Sequence, residues 1–322
     1  MSRLLMAPHS ASPSTPATPA RTTDAVRSRA SVMPLLASLR PKQWTKNLLV
    51  FAGLIFAPKL QDPGAVKSAL AAFVVFCALS SVVYLVNDVR DCEADRRHPE
   101  KCRRPIASGA LSPRVAIAAA VVIGAAAVAG ALAVNTAFAV VSVIYLTMQV
   151  SYSLWLKHIV IVDALTLASG FVLRAIGGAV AINVPFSNWL LLMTLLGALF
   201  IGLSKRRAEI TALADEAKSH RRILAEYNTY LLDQMIGVVT ASTVLAYAFY
   251  TMSPETEAHF GTKRLAYTIP LIIYGIFRYL YLVHRREGGG NPSELLVTDR
   301  PLLICGALWT ASVLVILYGP WR

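Results

Sequence analysis

The chain has 322 residues, of which 56% are apolar and 15% are charged. A soluble domain carries about 25% charged residues, so this composition argues against a water-soluble globular protein and excludes collagen, coiled coil and extended disorder. The net charge of +13 would suggest nucleic acid in a soluble protein, whereas in a membrane protein it points to cytoplasmic loops and anionic lipids or substrates. Four cysteines without C-x-x-C spacing indicate neither a zinc site nor a disulfide framework.

The first 33 residues differ from the rest of the chain. They are rich in Ser, Thr, Pro and Ala and carry four arginines and one acid. Such a segment cannot bury enough apolar surface to order itself, so we predict a disordered tail over 1–33 and a membrane domain over 34–322. The tail lacks the continuous apolar run of a secretory signal peptide, and an organelle transit peptide is the alternative interpretation.

Nine apolar runs follow the tail. A membrane span must be a helix or part of a closed barrel, because its backbone groups find no water to bond, and barrel strands would alternate in polarity. Continuous apolar runs therefore predict an all-α polytopic bundle of nine transmembrane helices. The approximate span cores are Trp44–Pro58, Val66–Val89, Val115–Val134, Ala137–Leu156, Ile159–Ile182, Trp189–Leu203, Leu231–Met252, Leu265–Val283 and Leu302–Tyr318.

The distribution of basic residues predicts the orientation of this bundle. If the N-terminus is cytoplasmic, twenty of the 31 lysines and arginines fall in inside loops and five in outside loops. Cytoplasmic loops of membrane proteins carry such an excess. Two inside loops, 87–114 and 205–228, are long and charged, so we expect the functional site at the cytoplasmic face.

The first of these loops opens with the pattern N-D-x-x-D-x-x-x-D, formed by Asn87, Asp88, Asp91 and Asp95. On a helix, offsets of three and four place side chains on one face, so these residues form an acidic stripe at the end of the second span. A divalent cation relieves the repulsion within such a stripe, and Mg²⁺ prefers carboxylates, waters and phosphate oxygens. The stripe therefore predicts a Mg²⁺–diphosphate site; a solvated polar helix end is the alternative.

A basic cluster follows the acidic stripe. Lys101, Arg103 and Arg104 precede the residues P-I-A-S-G. Topology alone could account for these cations, but cations beside a Mg²⁺ site also suit a polyanionic ligand.

The acidic pattern followed by R-P-I-A-S-G resembles the UbiA prenyltransferase superfamily, and the resemblance runs from about Leu39 to the C-terminus. It implies an intramembrane nine-helix enzyme with a Mg²⁺–diphosphate pocket open to the cytoplasm. It also implies that Asp88, Asp91 and Asp95 are catalytic and that they bind the metal together with Asn87.

A narrower resemblance is to the actinobacterial branch that transfers phosphoribosyl groups to decaprenyl phosphate for cell-wall arabinan. It rests on three stretches, L-R-P-K-Q-W-T-K-N at 39–47, G-F-V-L-R-A-I at 170–176 and K-R-R-A-E at 205–209. It implies transfer of 5-phosphoribosyl from phosphoribosyl pyrophosphate to a polyprenyl phosphate. The expected substrate-binding residues are Lys42, Gln43, Lys46, Asn47, Lys101, Arg103, Arg104, Tyr152, Lys157, Arg174, Lys205, Arg206 and Glu209.

One departure from the wider superfamily bears on the substrate. Aromatic prenyltransferases carry a second motif of the type D-x-x-x-D after the sixth span, where this chain has Lys205 and Glu209 flanking two arginines. Replacement of acidic residues by cations favours substrates that carry more negative charge. Phosphoribosyl transfer involves three anionic groups, a diphosphate, a sugar 5-phosphate and a lipid phosphate, whereas aromatic prenylation involves one diphosphate. Prenylation of an aromatic acid is the alternative activity.

A transporter or a non-catalytic lipid-binding protein is the alternative from another class. Transporters place polar sites near the bilayer midplane between repeats, whereas the polar residues here gather at one face. We therefore expect phosphoribosyl pyrophosphate, a polyprenyl phosphate lipid and the membrane as partners, and no nucleic acid. The expected location is the bacterial plasma membrane, and such a bundle is compatible with a homo-oligomer.

Overall fold

A computed structural model describes residues 32–57, 59–212, 226–285 and 298–319, and within these ranges the chain contains no β-strand. Four 3₁₀ helices cover Pro41–Phe51, Lys101–Arg103, Leu156–His158 and Arg264–Thr268. The α-helices are α1 (32–38), α2 (Ala52–Phe56), α3 (Pro63–Arg90), α4 (Cys92–Arg97), α5 (Pro113–Val134), α6 (Thr136–Leu154), α7 (Val162–Ala181), α8 (Asn188–Ala212), α9 (Thr229–Met252), α10 (Pro254–Phe260), α11 (Ile269–Arg285) and α12 (Arg300–Tyr318).

Eight helices of the described chain are long and apolar enough to cross a membrane. They are α3, α5, α6, α7, α8, α9, α11 and α12, and they coincide with the second to ninth predicted spans. The predicted class, an all-α multi-pass membrane protein, is confirmed. The predicted tail lies almost wholly outside the described residues, and much of the second charged loop, 213–225, lies outside them as well.

Polar side chains cap the N-termini of several of these helices. They accept hydrogen bonds from backbone N–H groups that have no partner within the helix. Asn135 shows the device most fully, because it joins α5 to α6 without any further loop. Its Oδ1 accepts a hydrogen bond from the backbone of Phe138 at 2.7 Å, and its Nδ2 donates to the carbonyl of Val180 on α7 at 3.1 Å. The tight turn that Asn135 predicts in the sequence is thus also a link between three spans.

The first predicted span differs from the prediction. Instead of one membrane α-helix over Trp44–Pro58, the chain forms the 3₁₀ helix Pro41–Phe51 followed by the short α2, so the described residues contain eight long apolar helices rather than nine. This 3₁₀ helix begins after Arg40, whose φ of 52° is left-handed.

The 3₁₀ helix runs antiparallel to α3 along its length. Its contacts descend the partner helix in order: Trp44 Nε1 donates to Ser81 Oγ at 3.1 Å, Asn47 Nδ2 contacts Cys77 Sγ at 3.3 Å, and the Phe51 ring packs on Phe73 at 5.4 Å. Eleven residues of 3₁₀ helix rise about 22 Å and five of α-helix about 8 Å, together roughly the 30 Å of a hydrocarbon core. The tighter helix therefore lets 16 residues cover a depth that otherwise needs about 20.

Two glycines of α7 and α2 allow this segment to pack backbone against backbone. A Cβ on Gly178 would lie 1.9 Å from the carbonyl oxygen of Val50, and one on Gly53 would lie 3.0 Å from Cα of Ala179. Next to this contact, the aromatic rings of Phe76, Phe138 and other core residues fill the space between α3, α6 and α7. The 3₁₀ helix is thereby set at a defined depth beside α7.

Candidate active site

The acidic pattern lies where α3 gives way to α4. The sequence predicts a single helical stripe, but that geometry is wrong, because the helix is interrupted at Asp91, with φ −93° and ψ 7°. The backbone of Asp91 ends α3 by donating to Asn87, and its carbonyl accepts from Asp95 at the start of α4. Asp88 and Asp95 share a cationic partner, Arg104, whereas Asp91 pairs with Lys157.

We call the four residues Asn87, Asp88, Asp91 and Asp95 the acidic turn. Each of its three carboxylates is paired with a cation. Arg40 Nη2 donates to both oxygens of Asp88, at 2.5 and 2.8 Å. Arg104 Nη1 lies 3.2 Å from Asp88 Oδ1 and 2.6 Å from Asp95 Oδ2.

Asp91 has a partner from a more distant part of the chain. Lys157 Nζ donates to both of its oxygens, at 2.6 and 2.8 Å. Lys157 belongs to the short 3₁₀ helix Leu156–His158 after α6, so three separate elements supply the cations that neutralise the acidic turn.

The donor set of the acidic turn fits a magnesium ion. A single nitrogen of Arg104 already places positive charge between oxygens of Asp88 and Asp95. Mg²⁺ is usually bound by one or two protein carboxylates, with waters and substrate phosphates as its other ligands. Within the described ranges, no group of three or more His, Cys, Asp or Glu side chains is arranged to hold a metal ion.

A second polar cluster lies inside the bundle around Arg174 of α7. Its guanidinium donates to Asn47 Oδ1 at 2.6 Å, to the carbonyl of Gly170 at 2.8 Å and to the hydroxyl of Tyr145 at 2.7 Å. Ser80 of α3 bonds to Asn47 and Tyr145 in turn, at 3.3 and 3.2 Å. All of these side chains are buried.

Every acceptor that Arg174 uses is uncharged. Among the described residues, no carboxylate lies within ion-pair distance of it. Lys46, one residue before Asn47 on the 3₁₀ helix, is exposed and experiences the positive charges of Lys205, Arg174 and Arg40. Arg40 is paired with Asp88, but Lys46, Arg174 and Lys205 come from three separate elements, so the interior end of the site has an excess of positive charge that suits anionic groups.

The first residues of the predicted second loop, 205–212, belong to helix α8 rather than to a loop. The sixth span was predicted to end at Leu203, but α8 continues to Ala212, so Lys205, Arg206 and Glu209 lie on a helix. The guanidinium of Arg206 forms a salt bridge with Asp163, which is fully buried at the start of α7, and a longer one to Glu209 at 3.8 Å. Arg206 is thus already paired, whereas Lys205 is exposed.

Tyr227 is a third member of the buried cluster that Asp163 and Arg206 form. Its hydroxyl donates to Asp163 Oδ1 at 2.9 Å and accepts from the backbone N–H of Ile161 at 2.7 Å. Ile161 has a positive φ of 69°, and the hydrogen bond that its N–H donates to the Tyr227 hydroxyl stabilises this strained turn. Burial, helped by the adjacent carboxylate, raises the pKa of Tyr227, so it stays a neutral donor.

Several other predicted residues are exposed or only partly buried. Lys42 and Arg103 are exposed, and no ion pair joins either to a carboxylate of the described chain; Gln43, Lys101 and Tyr152 are half-buried. The prediction also missed Arg40, although it lies within the quoted stretch 39–47 and its position directly before Pro41 was the available signal.

The sequence matches the UbiA prenyltransferase family model over residues 47–295. The chain belongs to the UbiA prenyltransferase family. Solved UbiA homologues from Archaeoglobus fulgidus share the fold: the one bound to GPP and Mg²⁺ superposes with a TM-score of 0.66 at 20% identity, covering 88% of this chain and 99% of the other. The one bound to DMAPP and Mg²⁺ gives 0.65 at 19% identity, with the same coverage.

Curated relatives of this UbiA-family chain are more similar in sequence. The decaprenyl-phosphate phosphoribosyltransferase of Mycobacterium tuberculosis is 36% identical over 289 residues, which is 87% of this chain and 92% of that protein. The enzyme of the same name from Corynebacterium glutamicum is 33% identical over 290 residues, 88% of this chain and 86% of that protein. The similarity therefore extends over nearly the whole of both proteins.

Proposed function

We propose that the chain transfers the 5-phosphoribosyl group of phosphoribosyl pyrophosphate to decaprenyl phosphate or a similar polyprenyl phosphate, releasing diphosphate. The observation that carries this proposal is the 36% identity to a decaprenyl-phosphate phosphoribosyltransferase along almost its whole length. The excess of positive charge at Lys46, Arg174 and Lys205 supports it, because the reaction brings together a diphosphate, a sugar 5-phosphate and a lipid phosphate. Its product would supply arabinose for cell-wall arabinan.

The acidic turn provides the metal site in this proposal. Asp88, Asp91 and Asp95 would hold Mg²⁺ together with Asn87, and the bound ion would stabilise charge on the departing diphosphate. Arg104 already lies between the carboxylates of Asp88 and Asp95 and is placed to contact phosphate oxygens beside them.

The remaining cations position the other phosphates. Lys46 and Lys205 are exposed side chains beside the buried Arg174, so they can contact anionic groups while Arg174 supplies a fixed positive field. The lipid phosphate is already ionised at neutral pH and needs no general base to attack C1 of the ribose. The contribution of the protein is therefore orientation and charge rather than proton transfer.

The site is proposed to face the cytoplasm of a bacterial plasma membrane. Asp88, Asp91 and Lys157 lie at helix ends on the side where twenty of the 31 basic residues fall, and such a bias marks the cytoplasmic side. Phosphoribosyl pyrophosphate is a soluble anion and would reach the site from there, whereas the lipid would enter from the bilayer.

Incubation of membranes containing the protein with radiolabelled phosphoribosyl pyrophosphate, polyprenyl phosphate and Mg²⁺ tests the activity. Label in the organic extract is the expected result. Product formation only from a prenyl diphosphate and an aromatic acid would instead establish aromatic prenylation, and no product from either pair would favour a non-catalytic role.

Replacement of a single carboxylate tests the metal assignment. Asp88→Asn keeps the size of the side chain but removes its charge, so we expect the rate of label transfer to fall at least about 100-fold, the scale of losing a main electrostatic contact to the transition state. Asp299→Asn is the matched control, because Asp299 is similarly buried but pairs with Arg278 elsewhere. Full Mg²⁺-dependent activity of Asp88→Asn would rule out the assignment.

A further inference from the structure

The acidic turn and its cations form a closed set of ion pairs before any ligand arrives. Arg40 and Arg104 hold Asp88, Arg104 holds Asp95, and Lys157 holds Asp91. The carboxylate oxygens that a metal would take are therefore already engaged. A metal ion binding alone has to displace these cations, and each displaced cation then loses its counter-ion in a partly buried site.

A metal that arrives with a diphosphate meets a different balance. The carboxylates pass to the metal while the released guanidinium and ammonium groups gain phosphate oxygens, which are strong partners for both. Every charge keeps an opposite partner through the exchange. The electrostatic cost that opposes metal binding alone is thus cancelled when diphosphate is present.

We infer that Arg40 and Lys157 are exchangeable counter-ions: they neutralise Asp88 and Asp91 in the free enzyme and transfer to the diphosphate of the substrate when the metal binds. The inference rests on the proposed function and adds Arg40 to its substrate-binding residues. Metal and substrate then bind with positive coupling, and this coupling is reciprocal by linkage. The free enzyme also avoids holding a bare metal that has no substrate to act upon.

The geometry suits Arg40 to such an exchange. Its guanidinium is 26% exposed while Asp88 is 2% exposed, so the cation lies on the open side of the carboxylate. The guanidinium also stacks over the Tyr84 ring, 4.9 Å from its centroid, a contact that can guide the side chain without holding its charge. Arg40 has a left-handed φ, and Gln is, like Arg, unbranched at Cβ, so Arg40→Gln changes charge without adding backbone strain.

The first part of the inference is that Arg40 and Lys157 compete with the metal for the carboxylates. Binding of Mn²⁺ to the purified protein, followed by electron paramagnetic resonance without any phosphate compound, tests it. Arg40→Gln and Lys157→Gln are each expected to bind Mn²⁺ about three- to tenfold more tightly than the wild type, because a competing cation is gone. Arg278→Gln is the matched control: Arg278 is 27% exposed and pairs with Asp299 away from the acidic turn, so its Mn²⁺ affinity should equal that of the wild type.

The second part of the inference is that the released cations bind the diphosphate of the substrate. Binding of radiolabelled phosphoribosyl pyrophosphate at saturating Mg²⁺ tests it. The same two variants are expected to bind it at least about tenfold more weakly, a typical size for an allosteric coupling, while Arg278→Gln binds normally. Lys157→Gln keeps the test open if Arg40→Gln does not fold, because Asp91 is 31% exposed and tolerates losing its partner.

Unchanged or weaker Mn²⁺ binding in both variants would overturn the inference, as would tighter Mn²⁺ binding with unaltered substrate binding. A different outcome tests the proposed function. If the variants bind Mn²⁺ more tightly but the wild type binds no phosphoribosyl pyrophosphate, the counter-ion role stands and the substrate assignment fails.

Discussion

Two buried charges within the bundle are stabilised in different ways. Arg174 is surrounded by neutral acceptors, Asn47, Tyr145 and the carbonyl of Gly170, so its charge remains available to act on an anion. Asp163 meets the guanidinium of Arg206 and is neutralised. The rule that an intramembrane charge is either functional or paired thus has one example of each along α7.

The pairing of Asp163 with Arg206 predicts a structural rather than a catalytic loss. Asp163→Asn leaves the buried Arg206 with only its longer salt bridge to Glu209, and we expect the free energy of unfolding to fall by about 3–5 kcal/mol. Thermal unfolding in detergent, followed by tryptophan fluorescence, measures the change.

A double-mutant cycle distinguishes the ion pair from general disruption. Asp163→Asn combined with Arg206→Gln removes both charges, so the double variant should be less destabilised than the sum of the single variants. Strictly additive losses would contradict the ion-pair interpretation. Arg207→Gln, whose partner Asp233 is considerably more exposed, is expected to cost less than about 1 kcal/mol.

At the scale of elements, the 3₁₀ helix Pro41–Phe51 connects the acidic turn with the buried arginine. Arg40, at its start, contacts Asp88, and Asn47, in its middle, contacts Arg174. Its depth is set by direct backbone contact with α7. The position of this one element therefore decides whether the two parts of the site face the same space.

Gly178→Ala tests that dependence. The added methyl would lie 1.9 Å from the Val50 carbonyl oxygen, so the 3₁₀ helix must move away from α7, and we expect a loss of at least about 3 kcal/mol of stability together with loss of activity. Folded yield in detergent and label transfer are the two measurements.

Gly202→Ala provides the control, because a Cβ there meets no atom within 4 Å and Gly202 lies within α8. It should retain activity and gain about 0.5–1 kcal/mol of helix stability. Equal behaviour of the two alanine variants would show that the backbone contact at Gly178 has no special role.

At the scale of the whole molecule, we expect one membrane crossing to be made by a segment too short to be counted as a spanning α-helix. Arg40 contacts Asp88 at one end of α3, whereas Asp62 caps the other end of α3 by accepting from the backbone of Gly64. The chain between Arg40 and Asp62 must therefore traverse the depth of α3. Nine crossings remain our prediction on this ground, although eight helices meet the usual length.

Labelling with a membrane-impermeant thiol reagent in intact cells tests this topology. A cysteine introduced at Gln61 is expected to react from outside, and one introduced at Ala37 only after the membrane is opened. Cys77, Cys92 and Cys305 are buried, so the background should come from Cys102, and Cys102→Ser removes it. Reaction of both introduced cysteines from the same side would show that residues 41–56 do not cross.

The sequence by itself determined the class of the protein. Apolar runs of about 20 residues can only be membrane helices, since the backbone has no other way to satisfy its polar groups in lipid, and eight of them match the observed helices. The acidic turn and Arg174 were also identifiable, because charges within or beside a span are costly and therefore noticeable.

Only the tertiary structure decided which charges meet. The pairs Arg40 with Asp88 and Lys157 with Asp91 join residues 48 and 66 positions apart, and no local pattern encodes such distances. The same holds for the position of the 3₁₀ helix Pro41–Phe51, which depends on a glycine more than 120 residues later. Hydropathy acts along the chain and can be read there, whereas ion pairing and backbone packing depend on which helices become neighbours.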